Sequence, residues 1–177
     1  MKKINLKNLT VIALFAALLC ASAIIYIPLV IPITIQTLII CLCCELLSTK
    51  KAVAVYLVYI AIGFLGIPVF SGFNSGISAL FSATGGFIIG FLAFILIKCI
   101  VQKLLKKGFM GSIISSLFGL VALYLIGSVW FCFIYYNSFT LPLYLSSLTV
   151  SVLPFILPDI LKIIIATAIA KRIKKFF

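Results

Sequence analysis

The sequence predicts an all-α protein, an integral membrane bundle of six transmembrane helices with both termini in the cytoplasm. Three observations carry this reading. Hydrophobic residues make up 66% of the 177 positions, charged residues only 9%, and the mean hydropathy is +1.44. Contiguous apolar surface on that scale does not stay in water, which excludes a soluble domain. The 14 Lys and Arg against 2 Asp and Glu give a net charge of +12, yet the cations sit in short clusters between apolar runs. Such clusters report topology and do not form the one-sided stripe that nucleic acid requires. Finally, the connections that carry basic residues alternate with connections that carry no charge.

The apolar runs follow in order. The first covers about Leu9 to Tyr26, the second Ile33 to Leu47 and the third Ala52 to Ile67. The fourth runs from near Gly86 to Val101, the fifth covers Met110 to Tyr135, and the sixth ends at Ala170. A span needs about 20 residues, with latitude for tilt, so the second and third are short. Lys2, Lys3 and Lys7 precede the first run, and Lys50 and Lys51 separate the second from the third. Lys98, Lys103, Lys106 and Lys107 fall between the fourth and fifth, and Lys171, Arg172, Lys174 and Lys175 follow the sixth. Only Lys162 stands outside this scheme. The connections around Pro28–Pro32, Pro68–Gly85 and Tyr136–Val152 are uncharged and are expected on the outer side. Residues 1–177 therefore read as a single six-helix domain. Lys2-Lys3 followed by an apolar stretch and Ala21-Ser22-Ala23 imitates a cleavable leader, but the apolar run continues through Ile24, Ile25 and Tyr26, which favours a span.

The six cysteines, Cys20, Cys41, Cys43, Cys44, Cys99 and Cys132, all fall within or at the ends of apolar runs. Without a histidine in the chain, a packing role is expected for them and no metal site. Glu45 lies near Lys50 and Lys51, where a surface ion pair or a partner contact is expected. There is no Gly-Lys dipeptide of a phosphate-binding loop, no histidine base and no Gly-x-Ser-x-Gly elbow. A protein of this kind is not an enzyme, and if it moves a solute uphill another subunit supplies the energy.

Asp159 is the most informative position. It sits in an apolar run as Pro158-Asp159-Ile160-Leu161-Lys162, with the two charges three residues apart on one helix face. Each such charge costs roughly 2.5–3.5 kcal/mol at the centre of a membrane span. Spacing alone leaves two readings: the pair holds a polar ligand, or the two charges merely neutralise each other. Pro154 and Pro158 predict a break or kink just before Asp159, which would set its carboxylate near a positive helix end.

Two further features stand out. Ala13, Ala17 and Ala21 recur every four residues, a small-residue stripe that lets helix backbones approach closely, either inside the bundle or against a partner. The uncharged connection Gly66-Ile67-Pro68-Val69-Phe70-Ser71-Gly72-Phe73-Asn74-Ser75-Gly76, followed by Ser82-Ala83-Thr84-Gly85-Gly86-Phe87, is rich in turn formers and small polar groups. It is expected to fold back over the bundle as a cap, with hydroxyls and amides of residues such as Asn74, Thr84, Gly85 and Gly86 facing a cavity. Gln36, with Thr34, is either an interhelical hydrogen-bond partner or part of the cavity wall.

Taken in order, Ile-Pro-Ile-Thr-Ile-Gln-Thr (31–37), Gly-Ile-Pro-Val-Phe (66–70), Thr-Gly-Gly-Phe-Ile-Ile-Gly-Phe (84–91) and Pro-Phe-Ile-Leu-Pro-Asp-Ile-Leu-Lys (154–162) resemble the BioY family, the biotin-specific S components of energy-coupling-factor vitamin transporters. The resemblance runs along most of the chain and is strongest between residues 31 and 91. It implies a multi-pass protein of a prokaryotic cell membrane that binds biotin in its outer half. Its partners would be a transmembrane coupling subunit and two ATPases; biotin would be the transported ligand and no cofactor is implied. It also matches the Ala13, Ala17 and Ala21 stripe to the docking motif of S components. The chain departs from the family's more usual Pro-Thr-Gly-Gly-Tyr at Ala83–Phe87 and from Gly-Asp at Pro158-Asp159.

Biotin suits the polar pair: Lys162 is expected to meet its carboxylate and Asp159 its ureido N–H groups, with apolar walls burying the rest. An S component for another vitamin and a non-transport membrane scaffold with a structural ion pair remain alternatives at this point.

Overall fold

The computed structural model describes residues 6–105 and 108–174. Lys2, Lys3, Lys106, Lys107 and Lys175, which carry part of the charge pattern, lie outside the described residues. The chain is helical nearly throughout: α1 (Leu6–Ser22), α2 (Gln36–Leu46), α3 (Thr49–Phe64), α4 (Gly85–Leu104), α5 (Phe109–Tyr136), α6 (Leu141–Ser151) and α7 (Leu153–Ile173). A short 3₁₀ helix, Ile77–Phe81, precedes α4. By length and composition α4, α5 and α7 are each able to cross a membrane, whereas α1 and α2 are apolar but short. At 1.5 Å per residue, the 28 residues of α5 extend about 42 Å and the 11 of α2 only about 16 Å.

Two elements escape the pattern of apolar runs. The connection before α2 is a small antiparallel hairpin, β1 (Tyr26–Ile27) with β2 (Ile33–Thr34), pairing Tyr26 with Thr34 and Ile27 with Ile33. It extends the reach of the short α2 with backbone whose hydrogen bonds are made across the hairpin. The connection expected from Tyr136 to Val152 contains α6, whose apolar and hydroxyl residues carry no charge to mark its ends.

The helices pair mainly as α4 with α5, α2 with α7, α1 with α3 and α6 with α5. Close approach between α4 and α5 depends on missing side chains. A Cβ added at Gly119 would stand 2.9 Å from the Phe94 carbonyl oxygen and 3.2 Å from the Lys98 Cβ. Where lipid supplies no hydrophobic drive between helices, such contacts are the adhesive. The main core joins Phe15 and Leu19 of α1, Ile40 of α2, Val55 and Tyr59 of α3, Phe94 and Ile95 of α4, Leu123 of α5 and Ile163 of α7. All six cysteines are free thiols, and five of them are buried.

The expected break before Asp159 is displaced. Helix α7 runs unbroken through Pro158, and the chain turns instead at Val152, where φ is −124° and ψ is −50°. Pro154 occupies the first turn of α7, where a missing N–H leaves no bond unmade. Pro158 gives up one bond, toward the Pro154 carbonyl, and this close to the helix start the loss does not end the helix. Asp159 thus lies in the second turn of α7, beyond the first turn over which the helix end acts most strongly.

Candidate functional site

Asp159 and Lys162 lie one turn apart near the start of α7, and their heads meet: Lys162 Nζ donates to Asp159 Oδ1 at 2.7 Å. The other carboxylate oxygen, Oδ2, accepts from the Tyr124 hydroxyl of α5 at 2.8 Å. Asp159 is 3% exposed, whereas the Lys162 side chain keeps 14% of its surface open. The buried acid is therefore held from two helices, and Lys162 is the more open member of the pair. Tyr124 was missed in the sequence because a tyrosine in an apolar span is unexceptional and its partner is 35 residues away.

An aromatic and aliphatic cluster adjoins this centre through Tyr124. Ile31, Phe131 and Phe155 are buried together, and Phe87, Tyr124 and Tyr136 pack against them from the half-buried layer. Apolar walls beside a few convergent polar groups are the usual composition of a small-molecule site.

The other sequence-derived candidates divide into two groups. Gln36 is 1% exposed; its Nε2 donates to the Tyr59 hydroxyl at 2.7 Å, and its Oε1 accepts from Thr34 at 3.0 Å and Ser71 at 2.9 Å. Of the two readings left open for it, the hydrogen-bond hub between α2, α3 and the loop is the one present. Asn74 continues that chain, its amide donating to the Ser71 carbonyl at 2.9 Å, but its side chain is exposed.

Thr84, at the start of α4, is buried and shares a hydrogen bond of 2.9 Å with Ser82, whose carbonyl accepts from the Trp130 indole at 3.2 Å. Gly85 is closed over by the backbone of Leu80, and Gly86 by the side chain of Trp130 and the backbone of Ile126, so that a Cβ at either would collide. The long connection does fold back: Phe70 is fully buried, edge-on to Tyr59 at 5.5 Å, in the space left by Gly63. Gly76 N–H bonds the Gly63 carbonyl at 2.8 Å, which fastens the loop to the end of α3. Among the described residues no hydrogen bond links either of these groups to Asp159 or Lys162.

A second charged centre corrects two expectations. Lys98, assigned by its position to a connection, is inside α4 and 0% exposed. Glu45, expected at the surface beside Lys50 and Lys51, is buried; its Oε1 accepts from Lys98 at 2.6 Å, and its Oε2 from Ser112 at 3.1 Å and Lys174 at 3.4 Å. Lys98 also donates to Gln102 Oε1 at 2.6 Å, and Gln102 donates to Ser112 at 2.9 Å. Burial of an ion pair is tolerated when its remaining valences are met, and this ring meets them. Lys98 and Glu45 are 53 residues apart, a separation that hides the pairing from any local pattern.

On α1, Phe15, Ala16, Leu19 and Ser22 face the core. Ala13, Ala17 and Ala21 are all exposed and form a smooth outward face next to Leu14 and Leu18.

The family model for the BioY family matches residues 1–177. The chain belongs to the BioY family. It is 33% identical over 168 residues to a protein of Lactococcus lactis subsp. cremoris named biotin transporter BioY2, covering 94% of this chain and 90% of that one. It is 34% identical over 170 residues to a probable biotin transporter BioY of Pyrococcus horikoshii, covering 95% and 96%. The structure matches the crystal structure of an S-component for biotin from an ECF-type ABC transporter with a TM-score of 0.85 and 26% identity, over 99% of this chain and 94% of that one. The resemblance read from residues 31–91 and 154–162 thus extends to the whole BioY chain and to its fold.

Proposed function

We propose that this protein is the biotin-binding S component of an ECF-type transporter, a non-enzymatic multi-pass protein of the cell membrane with residues 1–177 as one domain. The observation that carries the reading is the Asp159–Lys162 pair, its acid buried and held by Tyr124 and its lysine partly open, in a chain whose fold and relatives are those of biotin transport. Six spans with both termini in the cytoplasm complete the arrangement, supported by the basic clusters and by α4, α5 and α7. Its partners are a transmembrane coupling subunit and two ATPases, since the chain lacks any nucleotide-binding motif. The outward Ala13, Ala17 and Ala21 face is the docking surface on the coupling subunit: it is open to lipid, and small residues permit close helix approach.

Ligand geometry refines the roles read from sequence. The ureido ring of biotin presents N–H donors beside a carbonyl acceptor about 2 Å away, whereas its carboxylate lies on the order of 9 Å from the ring. Asp159 and Lys162, 2.7 Å apart, fit one end of the ligand: the carboxylate accepts from ureido N–H and the ammonium donates to the ureido oxygen. Meeting the biotin carboxylate would require Lys162 to swing away from Asp159. The Gln36–Ser71–Asn74 and Ser82–Thr84 hydrogen bonds shape the polar loop that would cover this end, with Gly85 letting the Ile77–Phe81 turn close on α4 and Gly86 letting α4 close on α5.

Equilibrium binding of labelled biotin to the purified chain tests the reading. Saturable binding that competes with unlabelled biotin, and not with other vitamins, is the expected result. Preference for a different vitamin would transfer the protein to a sister specificity, and no binding of any vitamin would leave a scaffold.

A further inference from the structure

At the opposite end of the bundle from Asp159, a cavity of about 1000 Å³ opens between the α2–α3 turn, the end of α4, the start of α5 and the end of α7. Four cations line it: Lys50, Lys103, Lys171 and Lys174. A second hollow of about 500 Å³ shares Phe109 and Lys171 with the first and adds Ala168 and Arg172. The chain has only two side-chain carboxylates, and both are already paired. Asp159 holds Lys162, and Glu45, on the cavity floor, already holds Lys98 and Lys174. Among the described residues no carboxylate is left to balance Lys50, Lys103, Lys171 or Arg172. Four uncompensated cations around two connected hollows repel one another, and an anion from outside lowers that energy.

The shape of the site names the anion. The hollows share an aromatic wall, with Lys171 Nζ 5.9 Å from the centre of the Phe109 ring. The flank beyond is apolar and exposed, with Met110 at 65% and Ile165 at 46%. We infer that this basic cavity binds the phosphodiester headgroup of an anionic phospholipid, with an acyl chain lying along the exposed flank of α5 and α7. The recognised chemistry is a phosphate anion; the adjoining apolar flank favours a lipid over free phosphate, because the two parts of a lipid meet both surfaces. Basic residues near a membrane surface attract anionic headgroups, each contributing roughly a five-fold gain in affinity. The inference is independent of the biotin assignment.

Native mass spectrometry of the purified full chain, released from micelles containing phosphatidylglycerol or phosphatidylcholine, provides the test. Phosphatidylglycerol should remain bound at one or two copies where phosphatidylcholine does not. Lys103→Gln/Lys171→Gln should weaken retention by about thirty-fold, the product of two such contributions. Lys103→Arg/Lys171→Arg should restore it. Lys7→Gln removes a charge of α1 that does not line the cavity and should change nothing. A loss in Lys7→Gln as large as in the single variant Lys171→Gln would mean general surface attraction and would overturn the site. Equal retention of both lipids would overturn it as well. Displacement of the lipid by millimolar inorganic phosphate would leave an anion site but refute the lipid assignment. A drop in unfolding temperature shared by the Gln and Arg cavity pairs would identify misfolding, in which case retention by the Lys50→Gln variant decides: undiminished retention overturns the site.

Discussion

Asp159 has two hydrogen-bonding partners, and only one of them is near it in sequence. Lys162 was legible because an anion and a cation three residues apart interrupt a long apolar run. Tyr124 supplies the second hydrogen bond to the acid from another helix, and nothing local announces it. Tyr124→Phe should therefore loosen Asp159 without unfolding the bundle, lowering biotin affinity about five- to ten-fold at an unchanged unfolding temperature, read by titration and thermal scanning. Lys162→Met removes a cation from a buried pair, a change that costs about 2–5 kcal/mol where the pair serves a ligand. With both heads on the ureido end, biotin and biotin amide should weaken alike in that variant. A loss confined to biotin would instead place Lys162 on the ligand's carboxylate. The Glu45–Lys98 pair is the contrasting case, buried yet remote from the proposed ligand. Glu45→Gln leaves Lys98 without its counter-charge in the interior, a loss of about 3–5 kcal/mol, and should lower the unfolding temperature while biotin affinity of the folded fraction stays put. Replacing both, as Glu45→Gln/Lys98→Met, should recover much of that stability; if the single variant unfolds no earlier than wild type, the pair contributes nothing.

Helices of 16 residues or more were readable, and shorter elements were not. The runs that became α4, α5 and α7 announced themselves by length alone, whereas α2 keeps only 11 helical residues of the run expected from Ile33 to Leu47. The difference is the hairpin, whose two-residue strands are below the length at which alternation can be recognised. Helix α6 was missed because its sequence, Leu-Pro-Leu-Tyr-Leu-Ser-Ser-Leu-Thr-Val-Ser, is apolar for only 11 residues and is not bounded by charge. In α7, proline chemistry predicted a break at the wrong residue, since Pro154 and Pro158 both fall early enough to be absorbed. Spacing drew the alanine stripe of α1 but left its direction open; burial of Ala16 and Phe15 against the core turns Ala13, Ala17 and Ala21 outward. An indole on that outward face meets no neighbour in the isolated chain. Ala17→Trp should accordingly leave biotin binding within about two-fold of wild type and abolish uptake by the assembled transporter, because the added ring holds the partner helix away. Parallel loss of binding and uptake would return the stripe to internal packing.

Across the whole molecule the charges sort by end. Lys50, Lys103, Lys171 and Lys174 gather around one end of the bundle, while the hairpin, the Pro68–Gly85 loop and α6 at the other carry no charged residue. The deeper cations follow a different rule: Lys98 and Lys162 are paired with the only two acids of the chain, so neither contributes a free charge to the topology. Removing Lys98 from the tally of surface cations leaves the asymmetry intact, because Lys103 alone among the described residues still marks the α4–α5 end as basic. Free basic residues on one side orient such bundles with that side in the cytoplasm. In a background with the native cysteines replaced by alanine, Ser146→Cys on exposed α6 should react with a membrane-impermeant maleimide in intact cells. Lys103→Cys, equally exposed, should react only after the cells are opened. Because both side chains are accessible in the folded chain, a difference between them reports the side of the membrane and not burial. The reverse order of labelling would invert the bundle, place Asp159 in the half nearer the cytoplasm, and remove the outward-facing biotin site along with the topology.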